Sequence, residues 1–259
     1  MADRSIGEMT LRDHLGELRR RLFIASLATV VGTIASFMFH RQILRFLMQP
    51  ASEIPSFSDT SLIFTQVTEM LGISMKVSLL GGLILALPAW TYEIVMFAAP
   101  GLTPRERRYL LIFLPGITLA FVGGVAFGYF VMIPPALRFL LTFNADIAAP
   151  MIRIGNYINV IASLLFWMGL VFETPVLMFV LAKLRIASHR TFARWRRFAV
   201  VLAFVLGAMI TPTFDPINQS LVAVPIILLY ELGIWLAWLA RRGAKTKATN
   251  NIQVSESGS

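Results

Sequence analysis

The chain has 259 residues, of which 57% are hydrophobic and only 14% charged, and its formal net charge is +9. This balance excludes a purely soluble protein, and the lack of any cysteine excludes disulfides, thiolate metal sites and a cysteine nucleophile. The positive excess does not point to a nucleic-acid partner, because in a chain this apolar the position of the basic residues carries more information than their sum.

The first segment, "MADRSIGEMTLRDHLGELRRR", is too polar to hold the apolar region of a cleavable signal, so the first span is expected to remain as an anchor. Thr10-Leu11-Arg12-Asp13 has the pattern of a helix start, and Leu11, Leu15, Leu18 and Leu22 fall on one helical face. An amphipathic helix along the cytoplasmic surface is therefore predicted before the first span. Its Glu17 has Arg20 and Arg21 at helical spacing, a pairing worth only a few tenths of a kcal/mol.

A membrane-spanning helix needs about 20 mostly apolar residues. Such runs are predicted at 22–40, 71–99, 109–133, 157–182, 198–212 and 218–240, giving an all-α membrane protein of six transmembrane helices. Pro88, Pro115, Pro175 and Pro225 fall inside these spans, where a missing N–H and a ring clash predict kinks and curved walls. In "GGVAFG" Gly124 and Gly128 are four apart and permit close backbone approach. The fifth run reaches only about 21 Å at 1.5 Å per residue, against a hydrocarbon core of about 30 Å. Either the "TPTFDPINQ" turn after it dips into the bilayer or the membrane thins there.

Of the 23 lysines and arginines, eighteen lie in 4–21, 105–108, 183–197 and 241–247, and four (Arg41, Arg45, Arg138, Arg153) in the alternate loops. Basic flanks resist translocation, so both termini are expected in the cytoplasm. No internal repeat is visible, and residues 1–242 are read as a single six-helix transmembrane domain followed by a disordered cytoplasmic tail, 243–259.

Three groups of carboxylates need an account. Thr103-Pro104-Arg105-Glu106 has capping-box spacing, which gives Glu106 a structural role at a helix start. Glu93 and Glu231 lie near the cytoplasmic ends of their spans and are read as reaching headgroup water. Glu173 stands alone in "LLFWMGLVFETPVLMFVL". A charged residue at the centre of a spanning helix costs about 2.5–3.5 kcal/mol on insertion scales. Glu173 is therefore expected to face protein or water, either as a neutral acid hydrogen-bonded in the bundle or as a polar contact for a substrate or partner helix. Glu17 and Glu106 are acidic points on a face with eighteen cations, so a basic ligand would be repelled there except where these carboxylates meet it. Arginine forks prefer such oxygens, which describes a receptor for arginines.

The stretches "HLGELRRRL", "MFAAPGLTPRERR", "GYFVMIPPALRFL", "VFETPV" and "TPTFDPINQSLVAVPIILLYELG", in this order from about residue 9 to residue 240, resemble TatC, the multispanning receptor subunit of the twin-arginine protein translocase. The resemblance implies a cupped, concave bundle with both termini cytoplasmic, in the cell inner membrane. It implies that Glu17 and Glu106 bind the paired arginines of the signal peptides of folded precursor proteins, with Arg19 and Phe97 in the same surface. It implies a concave-face role for Glu173, contact of Thr211 and Gln219 with single-span TatA- and TatB-type subunits, and a match of Pro50 to a proline of the first periplasmic loop. It further implies a homo-oligomer in the receptor complex and export driven by the proton-motive force. The "TPTFDP" turn departs from members that carry a second proline directly after the first, and Arg105 is the residue before the arginine-binding glutamate; both bear on local turn geometry.

Two other function classes fit the sequence less well. A proton-coupled transporter using Glu173 would be expected to show two related halves with broken helices, and none is visible. An intramembrane enzyme lacks a G-x-S-x-G elbow and an H-E-x-x-H motif, while His14, His40 and His189 lie at span ends or in loops. No catalysis, metal or cofactor is expected, and without a G-x-x-x-x-G-K phosphate loop energy must come from outside the chain.

Overall fold

The computed structural model describes residues 11–52, 62–98, 104–142, 151–211 and 215–256, with side chains described through residue 240 apart from a few positions at helix ends. The described residues form helices: α1 (Leu11–Met38), α2 (His40–Ser52), α3 (Glu69–Ala98), α4 (Pro104–Phe127), α5 (Ile133–Thr142), α6 (Ile154–Lys183), α7 (His189–Arg194), α8 (Arg196–Ile210) and α9 (Pro216–Glu256). A π-helical turn, Gly128–Met132, joins α4 to α5. Five stretches are long and apolar enough to cross a membrane: His14–Met38, Glu69–Phe97, Leu111–Leu140, Ile154–Lys183 and Pro216–Ala240. The fifth predicted span is α8, whose 15 residues make it about 22 Å long, so it stands apart from the other five by length.

Several boundaries differ from expectation. The surface helix predicted before the first span is continuous with it as α1, because neither Gly16 nor any proline interrupts residues 11–38. Pro50 lies inside a helix, α2, whose buried Leu44, Leu47 and Ala51 follow helical spacing. The backbone of α9 continues beyond residue 242 to Glu256, with no proline after Pro225 to stop it.

The chain packs as two compact units, Met1–Met48 with Phe64–Thr118 and Gln49–Ile63 with Leu119–Ser259. In the first, α1 packs on α3. A Cβ at Gly82 would lie 2.5 Å from the backbone nitrogen of Thr33, and one at Gly32 would lie 2.7 Å from the Gly82 carbonyl oxygen. Only glycine lets the backbones come this close. Above the crossing, Trp90 Nε1 donates to Thr29 Oγ1 at 2.8 Å.

In the second unit α6 is the central element, packed mainly on α9, with Ile158 and Met168 fully buried. Residue Ile63 bridges to its start: Ile63 N–H donates to the Ile152 carbonyl and Ile154 N–H to the Ile63 carbonyl, at 3.1 and 2.9 Å. The approach expected at Gly124 is present, since a Cβ there would lie 2.5 Å from the Met168 carbonyl oxygen. The π turn has a local cause. Pro134 and Pro135 offer no N–H to the carbonyls of the preceding turn, and the helix passes this gap by a wider ring, in which Ile133 N–H donates to Gly128 O, five residues back.

Candidate functional site

The carboxylate singled out near the start of the chain lies in a three-charge cluster. Glu17 and Arg21 are one helical turn apart on α1, and Arg21 Nε and Nη2 both donate to Glu17 Oε1. From α3, Glu93 accepts from Arg21 Nη1 through Oε2 at 3.0 Å. The side chains of Glu17, Arg21 and Glu93 are only 20%, 18% and 12% exposed, so water screens the cluster poorly. Glu17 Oε2 is buried and has no hydrogen-bond partner among the described residues. One turn beyond Glu93 on α3 stands Phe97, whose ring packs 4.5 Å from that of His14, tilted by 30°. His14 is three residues before Glu17, so the predicted pair Glu17 and Phe97 lies at the same end of the α1–α3 pair.

Arg19 and Arg20 are exposed and border an open groove along α1 with Gly16, Leu22, Phe23 and Ser26. Pro104 opens α4, as the capping-box spacing predicts, and Glu106 lies in the first turn of that helix. Thr103 and the side chain of Glu106 lie outside the described residues.

The sequence reading missed Glu93 as a partner. Headgroup water was the expected neighbour, and an ion pair across 72 residues leaves no trace in local spacing. Its position four residues before Phe97 on one helix face was the available signal. Glu231 also has a protein partner: the Arg196 guanidinium forks onto both of its oxygens, joining α8 to α9. Nearby, Tyr230 donates to the Phe192 carbonyl at 2.9 Å.

Glu173 is half-buried on α6 and has no hydrogen bond or ion pair among the described residues. The preceding Phe172 packs its ring 5.2 Å from that of Phe127. At the far end of this unit, Thr211 ends α8 by donating its hydroxyl to the Gly207 carbonyl at 2.8 Å. Gln219 Nε2 donates to the Phe204 carbonyl at 2.8 Å, and Gly207 allows the Gln219 backbone to approach. Asp215 caps α9 by accepting from Asn218 N–H at 2.7 Å. Thr211 and Gln219 are thus brought together at Gly207, near the C-terminal end of α8. Among the described residues no group of three or more His, Asp or Glu side chains could hold a metal ion.

A family model described as Sec-independent protein translocase protein (TatC) matches residues 13–225. The chain belongs to the TatC family. It is 40% identical over 229 residues to the Sec-independent protein translocase protein TatC of Carboxydothermus hydrogenoformans, covering 88% of this chain and 93% of the relative. To the TatC of Aquifex aeolicus it is 37% identical over 239 residues, covering 92% and 98%. A crystal structure described as the twin arginine translocase receptor TatC superposes with a TM-score of 0.79 at 36% identity, over 88% of this chain and 99% of that one. As a TatC family member with five long apolar helices, the chain is a membrane protein of a protein-translocase family.

Proposed function

We propose that this chain is the signal-peptide receptor and core scaffold of a twin-arginine translocase, binding the paired arginines of leaders on folded precursors. The observation that carries this reading is the Glu17 carboxylate, whose second oxygen is buried and has no hydrogen-bond partner among the described residues, at the end of the α1–α3 pair where His14 meets Phe97. A guanidinium is the cation best matched to such an oxygen, because it is weakly hydrated and presents planar N–H donors. Glu106 supplies the second carboxylate, and Arg19 with Phe97 shape the surrounding surface. Thr211 and Gln219 contact single-span TatA- and TatB-type subunits, and Glu173 meets a signal or partner segment at membrane depth.

In this reading α8 is a sixth, short span, both termini are cytoplasmic, and the protein sits in the inner membrane as a single transmembrane domain. It works as a homo-oligomer in the receptor complex. The role is binding and scaffolding rather than catalysis, with the proton-motive force as the source of energy.

Photocrosslinking of a twin-arginine leader to membranes containing the full chain tests the proposal. Glu17→Lys or Glu106→Lys is expected to leave the protein inserted and abolish the crosslink. A leader with two lysines is expected to bind about tenfold more weakly through loss of the fork. Unchanged crosslinking in both variants overturns the receptor reading.

A further inference from the structure

The three-charge cluster does more than fasten α1 to α3. Arg21 carries one positive charge and is met by two carboxylates, so the cluster has a formal charge of −1. Arg21 places two nitrogens on Glu17 Oε1, while its third, Nη1, is drawn across to Glu93. That division leaves Glu17 Oε2 without a partner among the described residues. With Glu93 neutral, the Arg21–Glu17 pair would sum to zero, and Nη1 would be free to turn onto Oε2 and close the fork. The nearest carboxylate would then be satisfied internally, on a face where the exposed Arg19 and Arg20 already repel cations.

We infer that Glu93 is a positioning residue for guanidinium capture: it holds and neutralises Arg21, so that Glu17 keeps both a net negative charge and an unpartnered oxygen for the leader's arginine. The inference rests on the receptor reading above and adds a residue and a charge balance to it. Glu93 need not touch the leader. Arg21 is the internal guanidinium that would otherwise occupy the receptor's own carboxylate. The oxygen it leaves without a partner is buried and already stripped of water, which lowers the desolvation needed when a ligand cation arrives.

Charge counting separates this role from simple packing. Glu93→Gln keeps size and an acceptor oxygen but removes the charge, taking the cluster from −1 to 0. Adding Arg21→Gln returns it to −1 by removing the competing cation. The measurement is binding of a synthetic twin-arginine leader to the full chain in membranes, titrated at low and moderate salt. Glu93→Gln is expected to weaken binding by about three- to tenfold and to flatten its salt dependence. The double variant is expected to recover most of that loss.

If Glu93→Gln binds as the parent does, or if the double variant is no better than Glu93→Gln, the charge-balance role is overturned. If Glu93→Gln does not accumulate, the double variant decides alone: binding near the parent's supports the inference, and lost binding in an inserted protein overturns it. Glu17→Gln is measured in parallel. Should it bind the leader as well as the parent does, the receptor reading itself fails, a result distinguishable from failure at Glu93.

Discussion

Glu173 has a harder electrostatic problem than Glu17, since it lies in a helix long and apolar enough to span a membrane and has no ion pair or hydrogen bond among the described residues. Glutamine preserves its size and polarity, and alanine removes both. Export measured in cells is therefore expected to stay within about threefold of the parent for Glu173→Gln and to fall at least about tenfold for Glu173→Ala. Equal damage from both would mean that an ionised carboxylate is required. At this scale the sequence was legible where partners are neighbours in the chain, as for Glu17 with Arg21. It was silent where the fold supplies the partner, as for Glu93 with Arg21 and Glu231 with Arg196. Polar residues near a span end look alike in a sequence whether water or a distant arginine satisfies them.

At the scale of elements, hydropathy located α3, α6 and the apolar parts of α1 and α9 to within a few residues, because a buried or lipid-facing helix must be continuously apolar. It did not find the end of α9 or the joining of the polar N-terminal turns to α1, since apolarity stops at the membrane while helical hydrogen bonding does not. It also missed Gly32 and Gly82, which sit in different helices without a local motif. Gly82→Ala would push a methyl group against the backbone of α1 and is expected to destabilise the fold by roughly 1–3 kcal/mol in a thermal melt in detergent. Gly116→Ala is the control. Nothing lies within 4 Å of its added carbon, so the better helix former is expected to leave stability unchanged or raise it by up to about 1 kcal/mol.

For the whole molecule, the distribution of charge provides a direct check of topology. The proposed topology puts eighteen cations on one side and four on the other. The absence of native cysteine means that any introduced thiol reports without background. Met151→Cys and Ile186→Cys would both sit at exposed positions, 79% and 65% accessible. In intact cells a membrane-impermeant maleimide is expected to label residue 151, and residue 186 only after permeabilisation. The reverse pattern would invert the proposed orientation.

The widened turn at Gly128–Met132 has a geometric consequence for everything after it. One residue of an α-helix corresponds to about 100° of rotation and 1.5 Å of rise. Wound as a plain α-helix, the same residues would turn α5 by about that angle. Ile133, Ala136 and Leu137, now buried, would leave the interior together. The two prolines thus set the azimuth of the next helix, much as an added tooth sets the phase of a gear.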